Sequence, residues 1–326
     1  MIQQENSQQA QSIFEALCFA LTKLEWDYDK NSSKLQITTT VWGDDIPMEI
    51  VITTESEKER VVLYSVIPFE VADNKEADIA LALSMINTNL AYGSFKYNLA
   101  QKKVYFQLVS RFDGCEMGTS VFEQILTYAV KIIDDYNDKL LLLADNLMTL
   151  DEFTEFLTAL IEKEGIKEKE ERTEKENENV EGIFEKIKNV AALETAEYTV
   201  NPEELSVNFT VVGEDLPMDI TVRADKENQI ISVTSPMPYK ISLDNRVVCG
   251  IAVCAVSERL EAGNFDYEII NGIITFRVTT PFKDCVVEQE LIANMVAYAS
   301  KMTDDYNDRF LALDKGFLKL ENFISQ

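Results

Sequence analysis

The pentapeptide Asp134-Asp135-Tyr136-Asn137-Asp138, written a second time as Asp304-Asp305-Tyr306-Asn307-Asp308, concentrates potential metal ligands. On a helix, Asp134, Asn137 and Asp138 share one face through their i, i+3, i+4 spacing. A calcium loop needs carboxylates on a turning backbone with free carbonyls in reach, and helical carbonyls are already bonded. The motif therefore reads as a solvated helical face with Tyr136 packed beside Leu140 and Leu141; the alternative is a weak divalent-ion site, and no metal is assigned. Cys115 and Cys285 occupy one matched place before a long helix, where a helix N-terminus can lower a thiol pKa and make it reactive. They read first as small buried residues at a strand-to-helix turn.

Other chemistry is sparse. The chain has no histidine, so a Ser-His-Asp triad, a Cys-His dyad and a histidine pH switch are excluded. No glycine-rich phosphate loop and no nucleophile motif is present. Carboxylate pairs alone argue nothing, because 57 acidic residues guarantee chance pairs. The expectation is a non-enzymatic protein without a cofactor.

The 57 acidic residues face only 30 Lys and Arg, a formal charge of −27. Such a chain repels phosphate backbones and anionic membrane surfaces, so neither nucleic acid nor membrane is an expected partner. The start, Met1 to Asn6, has no basic region, and the apolar stretch from Phe14 to Leu24 is broken by Glu15 and Lys23, so it reads as an amphipathic helix and not a signal peptide. Cys18, Cys115, Cys249, Cys254 and Cys285 are scattered without a C-x-x-C pair. That usage suits a reducing compartment, and a cytoplasmic location is expected.

The elements that carry these residues are written twice. At a constant offset of 170, Ile13–Phe153 aligns with Ile183–Phe323 without a gap, about a quarter of the positions being identical. Residues 8–161 form copy one and 182–326 copy two. Between them, 162–181 has fourteen charged residues of twenty and reads as a linker that cannot offset its ordering entropy by burial. Within copy one, helical spacing over Gln8–Leu24 is followed by strand alternation through Leu35–Val41 and Ile46–Ile52, joined by Gly43-Asp44-Asp45. A third strand spans Val61–Ile67. A helix over Asp73–Tyr92 is then expected to end on a capping Gly93, and a hairpin sets Phe95, Tyr97 and Leu99 against Val104, Phe106 and Leu108. A long helix at Thr119–Asp145 and an amphipathic one at Leu150–Ile161 close the copy. The order α-β-β-β-α-β-β-α predicts class α+β, each copy a five-stranded antiparallel sheet packed with helices.

This order, with the Asn-x-Asn-Leu-x-x-Gly-x-Phe run at Asn87–Phe95, resembles the bacterial YbjN-domain family. Copy two keeps Leu260, Gly263, Asn264 and Phe265 of that run, and both long helices carry the acidic-aromatic pair Asp135-Tyr136 or Asp305-Tyr306. The resemblance covers nearly all of both copies and is fold-like, not catalytic. Members of the family are described as regulators in sensory transduction, and their fold is similar to type III secretion chaperones, small acidic proteins that pair and hold a client segment. The resemblance implies a protein-binding module, chaperone-like or a regulatory adaptor, with a small-molecule or ion sensor as the alternative. It also implies that two tandem copies supply, in one monomer, a pairing that single-copy relatives reach by dimerising.

Two surfaces follow as candidates. The second helix of copy two, Val247–Val256, is apolar all round and must be covered on more than one side. A pseudo-twofold contact with the matching helix of copy one is expected through Leu83, Ile86, Val248, Ile251 and Val253, with a homodimer contact or a covering loop as alternatives. The strand faces differ between copies. The core face is apolar in both, as in Leu35/Leu205, Ile37/Val207, Met48/Met218, Phe95/Phe265 and Phe106/Phe276. On the opposite face copy two is polar, with Asn208, Thr221, Arg223, Ser232, Thr234, Thr275, Arg277 and Thr279. Copy one there carries Trp42, Val51, Val62, Tyr64, Val66, Tyr105 and Val109. An apolar patch with Trp and Tyr is the composition of a docking surface, so a polypeptide client is expected to bind it unless the Leu150-Phe153-Leu157-Leu160 stripe covers it.

Overall fold

The computed structural model describes residues 2–167, 177–214 and 216–325. Copy one opens on helix α1 (Ile2–Lys23), then strands β1 (Tyr28–Asn31), β2 (Gln36–Trp42), β3 (Pro47–Glu55) and β4 (Arg60–Val66). Helix α2 (Glu76–Asn89) leads to β5 (Ser94–Asn98), β6 (Lys103–Arg111) and β7 (Cys115–Met117), and the copy ends on α3 (Thr119–Ala144) and α4 (Leu150–Lys167). Copy two repeats this with α5 (Asn177–Glu194), β8 (Tyr198–Asn201), β9 (Ser206–Val212), β10 (Pro217–Asp225), β11 (Ile230–Pro236), α6 (Arg246–Arg259), β12 (Asn264–Glu268), β13 (Ile273–Pro281), β14 (Cys285–Val287), α7 (Gln289–Asp314) and α8 (Leu320–Ser325). The expected linker overlaps the ends of α4 and α5, and its residues 168–176 lie outside the described residues.

The chain is therefore a tandem α+β protein, as its periodicity indicates. Each copy holds a six-stranded antiparallel sheet, ordered β1-β2-β3-β4-β6-β5 and β8-β9-β10-β11-β13-β12. The expected number was five. The additional strands β1 and β8 are four-residue edges, largely exposed, with too little buried apolar alternation to announce a strand. The core side of the sheets is apolar, with Ile37, Ile50, Ile52, Leu63, Phe106 and Leu108 buried in copy one and Val207, Ile220, Val222, Val233, Phe276 and Val278 in copy two. Phe95 meets Phe106 edge-on at 5.3 Å and Tyr136 at 5.9 Å, and Phe265 meets Phe276 at 5.1 Å and Tyr306 at 5.4 Å.

The repeated pentapeptide anchors a hairpin. The Asp44 backbone N–H donates to Asp134 Oδ1 at 3.0 Å, and Glu214 N–H donates to Asp304 Oδ2 at 3.1 Å. A Cβ on Gly43 would lie 1.9 Å from Asp134 Oδ1, and one on Gly213 would lie 2.3 Å from Asp304 Oδ1. Tyr136 and Leu140 are buried as expected, but Asn137 and Asn307 are buried too, so the motif is less solvated than the sequence suggests, and Leu141 is exposed. Gly93 also differs from its expected role. Helix α2 is capped by Leu90 in extended conformation, and Gly93, at φ +72°, turns the chain into β5 where a Cβ would strike the Phe106 ring at 2.5 Å.

The two copies meet through α2 and α6. Gly250 faces Leu81, whose Cδ2 would lie 2.7 Å from a Cβ there, and Cys254 Sγ donates to the Ala80 carbonyl at 3.4 Å. Ala80, Ser84, Asn87 and Ala91 follow i, i+4, i+7, i+11 spacing, so one stripe of α2 and the turn after it carries these contacts. The expected pairing of α2 with α6 is present, and its closest approaches run through Ala80, Leu81, Gly250 and Cys254. Of the residues expected there, Leu83, Ile86 and Val253 are buried, and Val248 and Ile251 are half-buried.

Polar contacts reinforce the seam. Arg277 donates to the carbonyls of Asn87 at 3.0 Å and Ala91 at 3.3 Å, and to Asp266 at 2.5 and 3.2 Å. Arg60 donates to the Glu261 carbonyl, Lys58 pairs with Glu261 at 2.6 Å, and Asn98 reaches Glu258 at 2.9 Å. Arg277 belongs to the face expected to be solvated. Its side chain is instead only 11% exposed, because copy two's outer face at β12 and β13 turns toward copy one.

Candidate functional site

Antiparallel register decides which side chains of copy one form one surface. Val51 pairs with Tyr64, and Tyr64 with Gln107. Val62 pairs with Val109, and Val66 with Tyr105. Six of the seven expected residues, Val51, Val62, Tyr64, Val66, Tyr105 and Val109, are thus neighbours across β3, β4 and β6. Trp42 is not. It pairs with Pro47 at the hairpin end, and the polar pair Thr40–Glu49 stands between it and the block.

Exposure grades across this face. Tyr64 and Val66 are 36% and 43% exposed, Val51, Tyr105 and Val109 are half-buried, and Val62 is buried. Trp42, at 77%, is the most exposed of the set. The stripe expected to cover the patch lies elsewhere. Phe153 and Leu157 are buried on the helix side, where Phe156 stacks edge-on to Tyr136 at 6.4 Å and Thr154 reaches Met85 Sδ at 3.5 Å. Helix α4 starts from a capping box in which Thr149 and Glu152 exchange bonds at 2.8 and 3.2 Å, and it packs on α2 and α3. At the β6 end, Val109 faces copy two across a narrow cleft lined by Ser94, Gln107, Asn264, Arg277 and Thr279. This cleft encloses about 20 Å³, room for about one water molecule and far less than a small-molecule pocket.

Beside the patch lies a group that periodicity does not reveal. Lys96, in the strand Ser94-Phe95-Lys96-Tyr97, is 2% exposed, and its Nζ has no hydrogen-bond partner among the described residues. Burial pulls its pKa down to about 7, with Glu258 of copy two raising it and Arg60 lowering it. Burial likewise raises the Tyr105 phenol, helped by Glu258. At the positions matched to Lys96 and Gln107, copy two holds the ion pair Asp266–Arg277. The available signal was that comparison, since Lys96 is a lone cation in an otherwise buried strand.

Copy two exposes apolar residues as well. Leu243, Val247 one turn on, Ile270 and Phe317 are 75%, 46%, 84% and 88% exposed, where copy one has Asp73, Ala77, Ala100 and Leu147. Ser242, beside Leu243, donates to Asp314 through its N–H at 2.8 Å and its Oγ at 2.6 Å, and against its desolvation Asp314 is held down to about 2 by Lys315 and Ser242. Among the described residues no cluster of three or more His, Cys, Asp or Glu is arranged to hold a metal ion, and no helix is long and apolar enough to cross a membrane. No family model matches the chain, and no curated protein matches it.

Proposed function

We propose that this chain is a non-enzymatic polypeptide-binding module, chaperone-like or a regulatory adaptor, and that its client docks on the outer face of the first sheet. The observation that carries this reading is the contiguous block Val51, Tyr64, Val66, Tyr105, Val62 and Val109, open to solvent at Tyr64 and Val66. Aromatic and β-branched side chains in a row on a rigid sheet offer buried area at low entropy cost. The resemblance to YbjN-domain and secretion-chaperone folds points the same way, as does a net charge of −27, which keeps such a face soluble and favours basic or apolar clients. Cytoplasmic location belongs to this reading.

Affinity capture from host lysate tests it, comparing the native protein with Tyr64→Ser/Val66→Ser. Loss of one or a few specific polypeptides from the double variant, with the fold retained, supports the docking face. Loss instead on Ile270→Ser/Phe317→Ser moves the site to copy two. Capture of nothing by any form, with a thermal midpoint raised several degrees by one metabolite or divalent ion, supports the sensor alternative.

A further inference from the structure

The two copies are joined at a second place, where the thiols Cys115 and Cys285 meet. Strands β7 and β14 pair antiparallel across the copies, with Cys115 opposite Val287, Glu116 opposite Val286 and Met117 opposite Cys285. The ribbon is closed at both ends by matched bonds, Gly118 N–H to the Asp284 carbonyl at 3.0 Å and Glu288 N–H to the Gly114 carbonyl at 2.8 Å. Gly118 permits this approach, since a Cβ there would lie 2.4 Å from the Asp284 oxygen. Because Cys115 and Cys285 are equivalent residues of the two copies, the pseudo-twofold axis that relates β7 to β14 passes between them. Alternation places Cys115, Met117, Cys285 and Val287 on the inner side of the ribbon, while Glu116 and Val286 point out. The register sets Cys115 and Cys285 as diagonal neighbours across the two-stranded ribbon, each thiol shifts the ionisation of the other, and the Cys285 thiol donates to the Lys283 carbonyl at 3.3 Å.

We propose that Cys115 and Cys285 are a modification site: a small hydroperoxide oxidises them to a disulfide that covalently joins the two copies at their pseudo-twofold axis. The order of events follows from that placement. In the reduced protein the Cys285 thiol donates to the Lys283 carbonyl; turned to its diagonal neighbour it can stabilise a Cys115 thiolate, so the neighbour lowers the Cys115 pKa while that of Cys285 is raised by Cys115 and by burial. Cys115 is therefore the attacking thiolate. Its sulfur takes the terminal oxygen of the hydroperoxide, the O–O bond breaks, and the alcohol or water leaves with a proton, giving a sulfenic acid. Cys285 attacks that sulfur, an S–S bond forms, the S–O bond breaks, and the hydroxyl departs as water with the Cys285 proton. The two thiols lose two electrons and the peroxide gains them. The other buried thiols are held in their thiol form: burial raises both Cys249 and Cys254 to about 12, and Cys254 donates to the Ala80 carbonyl.

The test treats the full chain with hydrogen peroxide, alkylates under denaturing conditions, digests it and maps thiols by mass spectrometry. The expected result is one cross-linked peptide pair containing Cys115 and Cys285, lighter by two hydrogens, with Cys18, Cys249 and Cys254 alkylated. Oxidised protein should melt several degrees above the reduced form, since a cross-link over so long a loop restricts the unfolded chain. In Cys285→Ser, where no resolving thiol remains, dimedone should label Cys115. Alkylation of both Cys115 and Cys285 after peroxide, a disulfide between any other pair, or dimedone labelling confined to Cys18 would overturn the proposal. The mapping on the native sequence stands even if the variant fails to fold.

Discussion

Asp134 Oδ1 accepts the backbone N–H of Asp44 at 3.0 Å, so that a side chain from the middle of α3 holds the turn between β2 and β3. Asp304 repeats the arrangement on Glu214 ninety residues away in sequence. A motif that resembles a metal-ligand cluster is therefore, at its first carboxylate, a hydrogen-bond acceptor for a tight turn.

Gly43→Ala and Asp134→Ala should each cost about 1 kcal/mol through loss of that one bond. Both remove the same interaction, so the double variant should cost less than their sum in a denaturation cycle. Desolvation raises the Asp134 pKa. A carboxyl raised on folding weakens the fold as pH climbs through its titration range. Asp134→Asn, which keeps an accepting oxygen, should then be tolerated and should lose that pH dependence.

Lys96 sets a second pH dependence. Its pKa in the fold is lowered to about 7, so between that value and the ordinary lysine range the unfolded chain binds the extra proton. Stability should rise with pH across that window, and the full penalty should persist below it. Lys96→Met removes the buried amine, raises stability at neutral pH and flattens the profile relative to the native protein, as read by urea denaturation across the window.

Arg277 is the corresponding group on the other copy, and it is satisfied. Arg277→Ala leaves the buried Asp266 carboxylate without its countercharge and takes the guanidinium away from two carbonyls of copy one, at a cost of about 3–5 kcal/mol. Arg277→Met with Asp266→Leu, which removes both charges, should recover much of that loss. Equal destabilisation by the single and double variants would show that the carbonyl contacts, and not the stranded charge, dominate.

Gly250 tests the seam between α2 and α6. Gly250→Val drives a side chain into Leu81 Cδ2, which a Cβ would approach at 2.7 Å, and should destabilise by about 1–3 kcal/mol. Leu81→Ala in the same chain should relieve part of the cost. No relief would place the strain inside copy two.

The docking face carries a fifth expectation. Trp42→Ala should leave client capture intact although Trp42 is the most exposed of its set, because the Thr40–Glu49 pair separates it from Val51, Tyr64 and Val66. Capture lost on Trp42→Ala alone would extend the surface to the hairpin end.

The sequence by itself determined the duplication, the α+β class, the order of the main elements and the core faces. Those properties follow from local periods: Ile37, Ile50 and Ile52 alternate because one side of a strand meets the core, and that rule acts within a few residues. The edge strands β1 and β8 were not legible because an edge held by backbone bonds alone needs no apolar pattern. What tertiary structure alone decided are meetings between residues far apart in the chain. Register joined Val62 to Val109 and left Trp42 outside, the packing of α2 on α6 brought Leu81 to Gly250 and Ala80 to Cys254, and docking of the two outer faces buried Lys96 and drew Arg277 to the carbonyls of copy one. The same docking brought Cys115 to Cys285. Each depends on how one copy rotates against the other, and that rotation is fixed by the summed burial and polar pairing of the whole interface, which no local pattern encodes.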